Sequence, residues 1–260
     1  MEAASPRHSG RGGEGRPRPR VVDVYRRLRR RFGRAGWWPA QTPFEVCLGA
    51  ILTQSTSWTN VEKALEGLRR RGLLSYEALK DLPASRLAPR IRSSGFFRVK
   101  ARRVRAFTRF LGDHYGGRVE AMAEEPLGLL RAKLLGVPGI GPETADSILL
   151  YAVGLPTFVV DAYTRRVFSR LGLLSGGESY DEIQSFFTSR LPPDVSVYND
   201  YHAQIVRLAK EVCRKQPRCL ECPLGDICPR KGIPSRAPRT PPRRARMGSV
   251  SGASRFRRER

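Results

Sequence analysis

The stretch LLGVPGIGPETADSILLYAVGLPTFVVDAYTRRV, residues 134–167, predicts a helix, a glycine-rich turn, a second helix, and a third helix after an aspartate. Glycine permits positive φ angles and close approach of a ligand, so we expect no side chain to be tolerated at Gly136, Gly139 or Gly141. The second helix would begin at Pro142, a favoured first helical position. Its free N–H groups and positive dipole end can bind a phosphate without reading sequence. An ordinary turn between helices is the alternative.

The rest of the folded region also has apolar residues at helical spacing. No useful run alternates polar and apolar residues, and no internal repeat is evident, so the predicted fold class is all-α. Helices are predicted within residues 21–33, 43–54, 60–72, 76–83, 100–117, 126–136, 142–154, 159–172, 180–192 and 199–213.

The net charge of the chain is +24 over 260 residues, of which residues 1–20 carry +3 and residues 229–260 carry +10, leaving +11 between them. Both tails are rich in Gly, Pro, Ser and Arg, so we expect them to be disordered. This excess of positive charge indicates a polyanionic partner such as nucleic acid. The alternative is a charged surface that only keeps the protein soluble. No run approaches the ~20 apolar residues of a membrane span, and no secretory signal is evident. We expect a soluble, intracellular, cytoplasmic protein without a membrane partner, and a monomer.

Asp161 follows an apolar run and precedes a helix, which predicts an N-cap. A carboxylate at a helix N-terminus stays ionised because the dipole stabilises the anion. An ionised carboxylate can stabilise an oxocarbenium-like sugar cation, as in glycoside hydrolases. Both roles are compatible.

The order VPGIGxxTA, then VVD…RV some twenty residues later, resembles the helix-hairpin-helix DNA glycosylases of the endonuclease III superfamily, over residues 21 to 228. The resemblance implies base excision repair of double-stranded DNA, with a damaged base flipped out and its N-glycosidic bond cleaved. It implies that Asp161 is catalytic and that Gln54 fills the space left by the flipped nucleotide. DNA contacts are then expected at Gln54 and at the hairpin residues Gly136, Val137, Gly139, Ile140, Gly141 and Thr144.

Glu143 stands where bifunctional members of the family have a lysine. That lysine forms a Schiff base with the sugar and permits strand cleavage, which a glutamate cannot do. Lys133 precedes the hairpin and is a poor substitute. We therefore expect a monofunctional glycosylase with weak or absent lyase activity, with Glu143 itself stabilising the start of its helix.

The segment GWWPAQTPFEVCLGAILTQSTSW resembles the 3-methyladenine DNA glycosylase III branch of the family. Alkylated purines are cationic leaving groups, and aromatic faces bind such rings. The resemblance places Trp37, Trp38, Pro39 and Trp58 in a base pocket, whereas core packing is the alternative for each tryptophan. Excision of mismatched adenine is disfavoured, since Gly49 replaces the required glutamate. Glycosylases for oxidised pyrimidines or for mismatched uracil or thymine remain alternatives.

Four cysteines follow the pattern C-x5-C-x2-C-x5-C, which in an intracellular protein indicates a metal site rather than disulfides. From the spacing alone, zinc and an iron–sulfur cluster are equally plausible. The resemblance implies a [4Fe-4S] cluster with a structural role, although the family usually has six residues in the first gap. Its ligands would be Cys213, Cys219, Cys222 and Cys228.

The family resemblance implies two helical lobes with DNA across the cleft. Residues 42–153 would form the lobe with the hairpin, and residues 21–41 with 154–228 would form the cluster domain. Asp161 would lie between them, and Arg165 is a candidate phosphate contact. We interpret His202 as a structural core histidine. The rival hypothesis is a non-enzymatic DNA-binding module.

Overall fold

The computed structural model describes residues 19–35 and 40–233, and this part of the chain is helical, with no strand. The α-helices are α1 (Val21–Phe32), α2 (Pro43–Leu52), α3 (Trp58–Arg69), α4 (Tyr76–Leu79), α5 (Ala84–Leu87), α6 (Phe97–Tyr115), α7 (Leu127–Leu135), α8 (Pro142–Ser147), α9 (Ala162–Arg170), α10 (Tyr180–Thr188) and α11 (Val195–Glu211). Short 3-10 turns lie at Ala88–Ser94, Glu120–Glu124 and Cys219–Glu221. The all-α prediction is confirmed for the described residues. No helix among them is long and apolar enough to cross a membrane.

Two hydrophobic clusters organise these helices. The first is built on α2, α3, α6 and α7 and runs as far along the chain as Leu149. The second begins with α1 and takes up the chain again from Leu150, through α9, α10 and α11, to Leu224. The helix that starts at Pro142 therefore contributes neighbouring residues, Leu149 and Leu150, to both clusters.

The helix that follows the glycine turn changes its geometry midway. Residues Pro142–Ser147 are α-helical, and Ile148–Val153 continue as a wider π-helix that ends at Gly154, where φ is +79°. The sequence pattern predicted one uniform helix here. A π-turn rotates the following side chains relative to an α-helix, and this segment carries Tyr151, which contacts the functional site described below.

Asp146 links α8 to both neighbouring regions. Its carboxylate, which is fully buried, accepts hydrogen bonds from Arg131 on α7 (Nε to Oδ1, 2.9 Å), from the Thr157 hydroxyl (3.1 Å), and from Gln184 on α10 (2.8 Å). A buried carboxylate is costly unless it is paired and hydrogen-bonded. Here every side of Asp146 is satisfied, so it fixes the orientation of α8.

Local signals explain most helix boundaries. Pro43 and Pro142 occupy first-turn positions that need no N–H donor, and Ser179 begins α10 with a reciprocal capping box to Glu182. The helical segment over residues 84–94 was not predicted, because its short turns contain a proline and lack a long apolar period. The predicted disorder of the tails concerns residues that, except for residues 19–20 and 229–233, lie outside the described ones.

Candidate functional site

The glycine turn closes between the end of α7 at Leu135 and the start of α8 at Pro142. Gly139 adopts a φ of +88°, a conformation that L side chains rarely take. A Cβ atom there would lie 2.4 Å from Cγ of Arg103, a residue of α6. Gly139 is therefore required both by its backbone angle and by the close packing of the Arg103 side chain.

Gly141 does not fit the same expectation, and the prediction that no side chain is tolerated there is wrong. Its φ is −96°, and a Cβ built at this position meets no atom of the described chain within 4 Å. Gly136 lies between the two cases: its backbone is α-helical, and a Cβ would stand 3.3 Å from the Lys133 carbonyl oxygen. Nothing within the described chain explains a glycine at residue 141.

The turn exposes backbone donors while burying its apolar side chains. Val137 and Ile140 are buried in the first cluster, so these two predicted DNA contacts can act only through their backbone. The Ile140 N–H is engaged by the Val137 carbonyl at 3.0 Å. Within the described chain, the N–H groups of Gly139 and Gly141 donate no hydrogen bond. Both glycines are exposed, which leaves these two donors available to an anion.

Gln54 lies in the turn after α2 and contacts the glycine turn directly. Its side-chain NH2 donates to the Gly139 carbonyl (3.0 Å) and to the Thr144 hydroxyl (2.9 Å). Its Oε1 accepts a hydrogen bond from the Arg103 guanidinium. Gln54 thus joins two other predicted site residues, Gly139 and Thr144, and is itself bound by Arg103. Arg103 was not predicted from the sequence because it is only one of many arginines on α6.

An open cleft of about 620 Å³ lies beside this network. The cleft is bounded by the turn after α2, by α6, by the glycine turn and first turn of α8, and by the start of α10. The residues that line it are Gln54, Arg103, Gly139, Ile140, Gly141, Pro142, Glu143, Thr144 and Tyr180.

Asp161 caps α9, as predicted. Its Oδ1 accepts hydrogen bonds from the Thr164 N–H (2.7 Å) and the Thr164 hydroxyl (2.9 Å), and its side chain is only 13% exposed. Burial is the largest single influence on the pKa of Asp161, and it raises that pKa. The hydrogen bonds and charge interactions with His202 and Thr164 lower the pKa by more in total, so it lies below its ordinary value. Asp161 is therefore a mostly buried but ionised carboxylate.

His202 faces Asp161, with its Nε2 3.5 Å from Oδ2 of the carboxylate. On the other side of the ring, Nδ1 lies 2.6 Å from the hydroxyl of Tyr151, in the π-helical segment. Burial, followed by the charge of Asp161, raises the pKa of Tyr151 well above its usual value, so the phenol keeps its proton. If the phenol donates this proton to Nδ1, a neutral ring carries its own proton on Nε2, facing Asp161. His202 is buried, as interpreted from sequence, but it also belongs to the site.

Glu143 occupies the first turn of α8 and lines the cleft. It is an exposed residue, yet its carboxyl is crowded by protein atoms. This desolvation, followed by repulsion from Asp161, raises the pKa of Glu143. The carboxyl forms no hydrogen bond or ion pair with any residue in the described part of the chain. The pKa of Glu143 is thus raised, whereas the pKa of Asp161 is lowered.

The lysines near the site are committed elsewhere. Lys133 forms an ion pair with Glu125, and its ammonium lies 5.8 Å from the centre of the Tyr115 ring. Lys100 is buried, and its ammonium donates to the carbonyls of Leu52 (2.8 Å) and Ser94 (2.5 Å). Burial, aided by the charge of Arg103, lowers the pKa of Lys100 to about 8.

Two further predicted contacts lie away from the cleft lining. The Arg165 guanidinium donates to the Glu178 carbonyl (2.7 Å), which holds the chain before α10. Trp58 begins α3, packs against the first cluster, and donates from its indole to Glu62 at 2.8 Å. The other predicted pocket residues, Trp37, Trp38 and Pro39, lie outside the described residues.

The four cysteines of the C-terminal pattern line one small cavity, with Arg170 and Gly225 beside them. None of them forms a disulfide. Arg170 donates to the carbonyls of Cys213 (3.3 Å) and Arg214 (2.6 Å), and its own carbonyl lies 3.4 Å from Cys228 Sγ. Burial raises the pKa of the Cys222 thiol to about 11. Within the described residues, no group of three His, Cys, Asp or Glu side chains is placed to hold a metal ion.

The C-terminal loop is tied to α9 by arginines. In addition to Arg170, the Arg166 guanidinium donates to the carbonyls of Cys213 and Ala209, each at 3.0 Å. These bonds cover the end of α11, whose last carbonyls would otherwise lack donors. The cysteine loop and Asp161, which caps α9, therefore lie at opposite ends of the same helix.

Comparison with known proteins agrees with this geometry. The model of the HhH-GPD superfamily of base excision DNA repair proteins matches residues 48–193. The chain is 44% identical over 209 residues, 80% of this chain and 95% of the other, to the "putative DNA repair glycosylase" of Methanocaldococcus jannaschii. A non-covalent endonuclease III–DNA complex has a TM-score of 0.70 at 25% identity, covering 81% of this chain and 94% of that chain. H. pylori 3-methyladenine DNA glycosylase bound to 1,N6-ethenoadenine has a TM-score of 0.66 at 28% identity, covering 74% and 98%.

Proposed function

The chain belongs to the HhH-GPD superfamily of base excision DNA repair proteins, and on that premise we propose that it is a DNA glycosylase that hydrolyses the N-glycosidic bond of a damaged base. The observation that carries this proposal is Asp161, a mostly buried carboxylate that remains ionised because Thr164 and His202 face it. A preorganised anion strongly stabilises positive charge that develops beside it.

In this function the glycine turn holds one DNA phosphate. The unbonded N–H groups of Gly139 and Gly141 point to this role, together with the open space at Gly141. A methyl group at residue 141 would obstruct a phosphate but not the protein itself. We propose that Gln54, which lies against the turn with Arg103, enters the space that a flipped nucleotide leaves, and that it then releases its bonds to Gly139 and Thr144.

We also propose that the chain forms two lobes with DNA bound across the cleft between them. One lobe would comprise residues 42–153, and the other residues 21–41 with 154–228. The two hydrophobic clusters support it, since they change over between Leu149 and Leu150. Asp161 follows this changeover by eleven residues along the chain, and its partner His202 comes from α11 of the second cluster. The carboxylate would then approach the DNA from the second lobe.

The reaction proposed for Asp161 is electrostatic. As the bond between the sugar and the base breaks, positive charge develops at C1′ and O4′ of the sugar, and the carboxylate stabilises it or orients the water that captures it. His202 holds Asp161 in place, and Tyr151 holds His202. No amine is needed for this hydrolysis.

We propose a monofunctional enzyme, one that releases the base but does not cleave the strand. Glu143 stands where bifunctional relatives have a lysine, and the described cleft lining contains no lysine. Lys133 is paired with Glu125, and Lys100 is buried with its ammonium on two carbonyls. Borohydride trapping on abasic DNA tests this point. We expect little covalent adduct compared with a bifunctional endonuclease III used as the positive control. A strong adduct would contradict the proposal, and its loss in a Lys100→Arg variant would identify the amine.

Alkylated purines are the proposed substrates. A cationic base leaves as a neutral molecule, so a site with one ionised carboxylate and no amine suits it. The relative that binds 1,N6-ethenoadenine supports an enlarged purine as ligand. We propose that Trp37, Trp38, Pro39 and Trp58 contact that base, although Trp58 would have to release its hydrogen bond to Glu62.

We propose that Cys213, Cys219, Cys222 and Cys228 hold a [4Fe-4S] cluster. Four free thiols around one cavity, next to cationic Arg170, are the donor set that such a cluster takes. A bound cluster would stabilise the thiolates that burial disfavours and would order the loop against α9. Its role in this proposal is structural, and base release does not pass through it.

The test of the proposed function is a single-turnover assay of base release. Duplexes would carry N7-methylguanine, 3-methyladenine, an oxidised pyrimidine, or uracil or thymine opposite guanine, with an undamaged duplex as the control. We expect release of the alkylated purines to be fastest. If DNA binding occurs but no base is released from any duplex, the chain is a binding module and the proposal is wrong.

A further inference from the structure

A second carboxyl group stands in the cleft, and the reaction above does not use it. Glu143 lines the cleft from the first turn of α8, whereas Asp161 is mostly buried at the start of α9 and is not among the residues that line the cleft. The two groups are close enough for the charge of Asp161 to act on the Glu143 carboxyl. Glu143 is therefore the carboxyl group of this pair that the open cleft exposes.

The surroundings of the two carboxyls suit different protonation states. Asp161 accepts two hydrogen bonds from Thr164 and faces His202, all of which favour its anion. Glu143 accepts none from the described residues, and both crowding and the nearby anion disfavour its ionisation. Two titratable groups whose environments separate their pKa values in this way have the pattern of an acid paired with an anion.

Other ionisable groups also act on Glu143 or share its cleft. His202 and Arg165 act in the opposite direction, favouring the Glu143 anion, but they are smaller influences than burial and Asp161. Asp161, which caps α9, Arg165 of α9 and His202 of α11 thus act on the Glu143 carboxyl. Tyr180 of α10 and Arg103 of α6 line the same cleft.

We propose that Glu143 is a second catalytic carboxyl, which protonates the departing base and extends the substrates from cationic alkylated purines to neutral damaged bases. This inference rests on the proposed function. The carbon–nitrogen bond breaks with its electron pair going to the base, and the Glu143 carboxyl gives its proton to a ring nitrogen or exocyclic oxygen of that base. Water then adds to C1′, and the proton that the water loses returns to the Glu143 carboxylate.

The need for this proton differs between the two classes of base. A cationic base such as N7-methylguanine is neutral once its bond breaks, so an acid contributes little. A neutral base would leave as an anion, and general acid catalysis by a positioned side chain then contributes roughly 10²–10⁴-fold. The ratio of the two rates is therefore a direct measure of the acid.

The experiment compares the full-length parent with Glu143→Gln on two matched duplexes, one with N7-methylguanine and one with the neutral base 1,N6-ethenoadenine. Glutamine keeps the size of the side chain but cannot give up a proton. We expect the single-turnover rate for ethenoadenine, divided by the rate for methylguanine, to fall about 100-fold in the variant. Equal losses on both duplexes would overturn the inference, as would a parent that releases only methylguanine.

The pH dependence provides an independent reading. In the parent, the ethenoadenine rate should decline as pH rises through the pKa of Glu143, because the acid form is lost. That alkaline decline should be absent in Glu143→Gln, and a parent rate without the decline would overturn the inference. Unfolding temperatures show whether the variant is folded, and Glu143→Ala serves as a second variant that must give the same ratio.

Asp161→Asn separates the inference from the function on which it rests. If the proposed function holds, this variant loses release of both bases, whether or not Glu143 is an acid. If the parent releases neither base, the proposed function fails. If Asp161→Asn loses both activities while Glu143→Gln leaves the rate ratio unchanged, only the acid role of Glu143 is wrong.

Discussion

Replacement of Gly139 by alanine should destabilise the protein through the glycine turn. Its φ of +88° places alanine in a left-handed conformation, which costs about 1–2 kcal/mol. The new Cβ would also stand 2.4 Å from Arg103 Cγ, a carbon near the backbone end of that side chain. Arg103 must then move and release Gln54, and a hydrogen bond to a charged group contributes about 1.5–3 kcal/mol.

Together these effects give a loss of about 2.5–5 kcal/mol. At about 2–4 °C per kcal/mol for a protein of this size, the unfolding temperature should fall by about 5–20 °C. The assay is thermal unfolding followed by far-ultraviolet circular dichroism.

Gly141→Ala is the matched control, because its backbone is extended and its Cβ site is empty. We expect its unfolding temperature to stay within about 2 °C of the parent, since a surface change without strain costs less than about 0.5 kcal/mol. Its affinity for duplex DNA should nevertheless fall about 10-fold, or about 1.4 kcal/mol, if a phosphate lies against residue 141. Equal unfolding temperatures for the parent and Gly139→Ala would refute this account of the turn.

Three other predictions concern the network around the site. Asp146→Asn should lower the free energy of unfolding by about 3 kcal/mol, because it breaks a buried ion pair with Arg131. Urea denaturation measures this free energy, and an unchanged midpoint would contradict the role of Asp146 in fixing α8. His202→Gln removes a group that lowers the pKa of Asp161 while burial continues to raise it. The acidic decline of the base-release rate should therefore move to higher pH, whereas an unmoved profile would mean that His202 does not influence the carboxylate. Cys222→Ser should abolish the visible absorption of an iron–sulfur protein, whereas Cys47→Ala, in the first core cluster, should keep it; colour retained in both variants would exclude the proposed ligand.

Local features of the fold could be predicted from the sequence. The Asp161 cap, the start of α8 at Pro142, and the helices on either side depend on neighbouring residues and on helical periodicity, which a single chain displays. The change to a π-helix at Ile148–Val153 could not be predicted, since the same apolar letters fit an ordinary α-helix.

The contacts that make the site come from distant parts of the chain. Arg103 meets Gln54 across 49 positions, and Tyr151 meets His202 across 51. Such pairs follow from how helices pack, and one sequence contains no signal that selects Arg103 from the other arginines of α6. The same limit applies to Gly141, where we predicted that no side chain is tolerated and the structure has open space.

The measurement that tests the central claim most directly is single-turnover release of N7-methylguanine by Asp161→Asn, with DNA affinity measured in parallel. Asparagine keeps the shape of the side chain and can still cap α9, but it carries no charge. The account predicts that base release falls by at least about 100-fold, as when one preorganised electrostatic contact is removed, while DNA affinity changes little. Unchanged release by this variant would contradict the claim that the Asp161 anion stabilises the sugar cation.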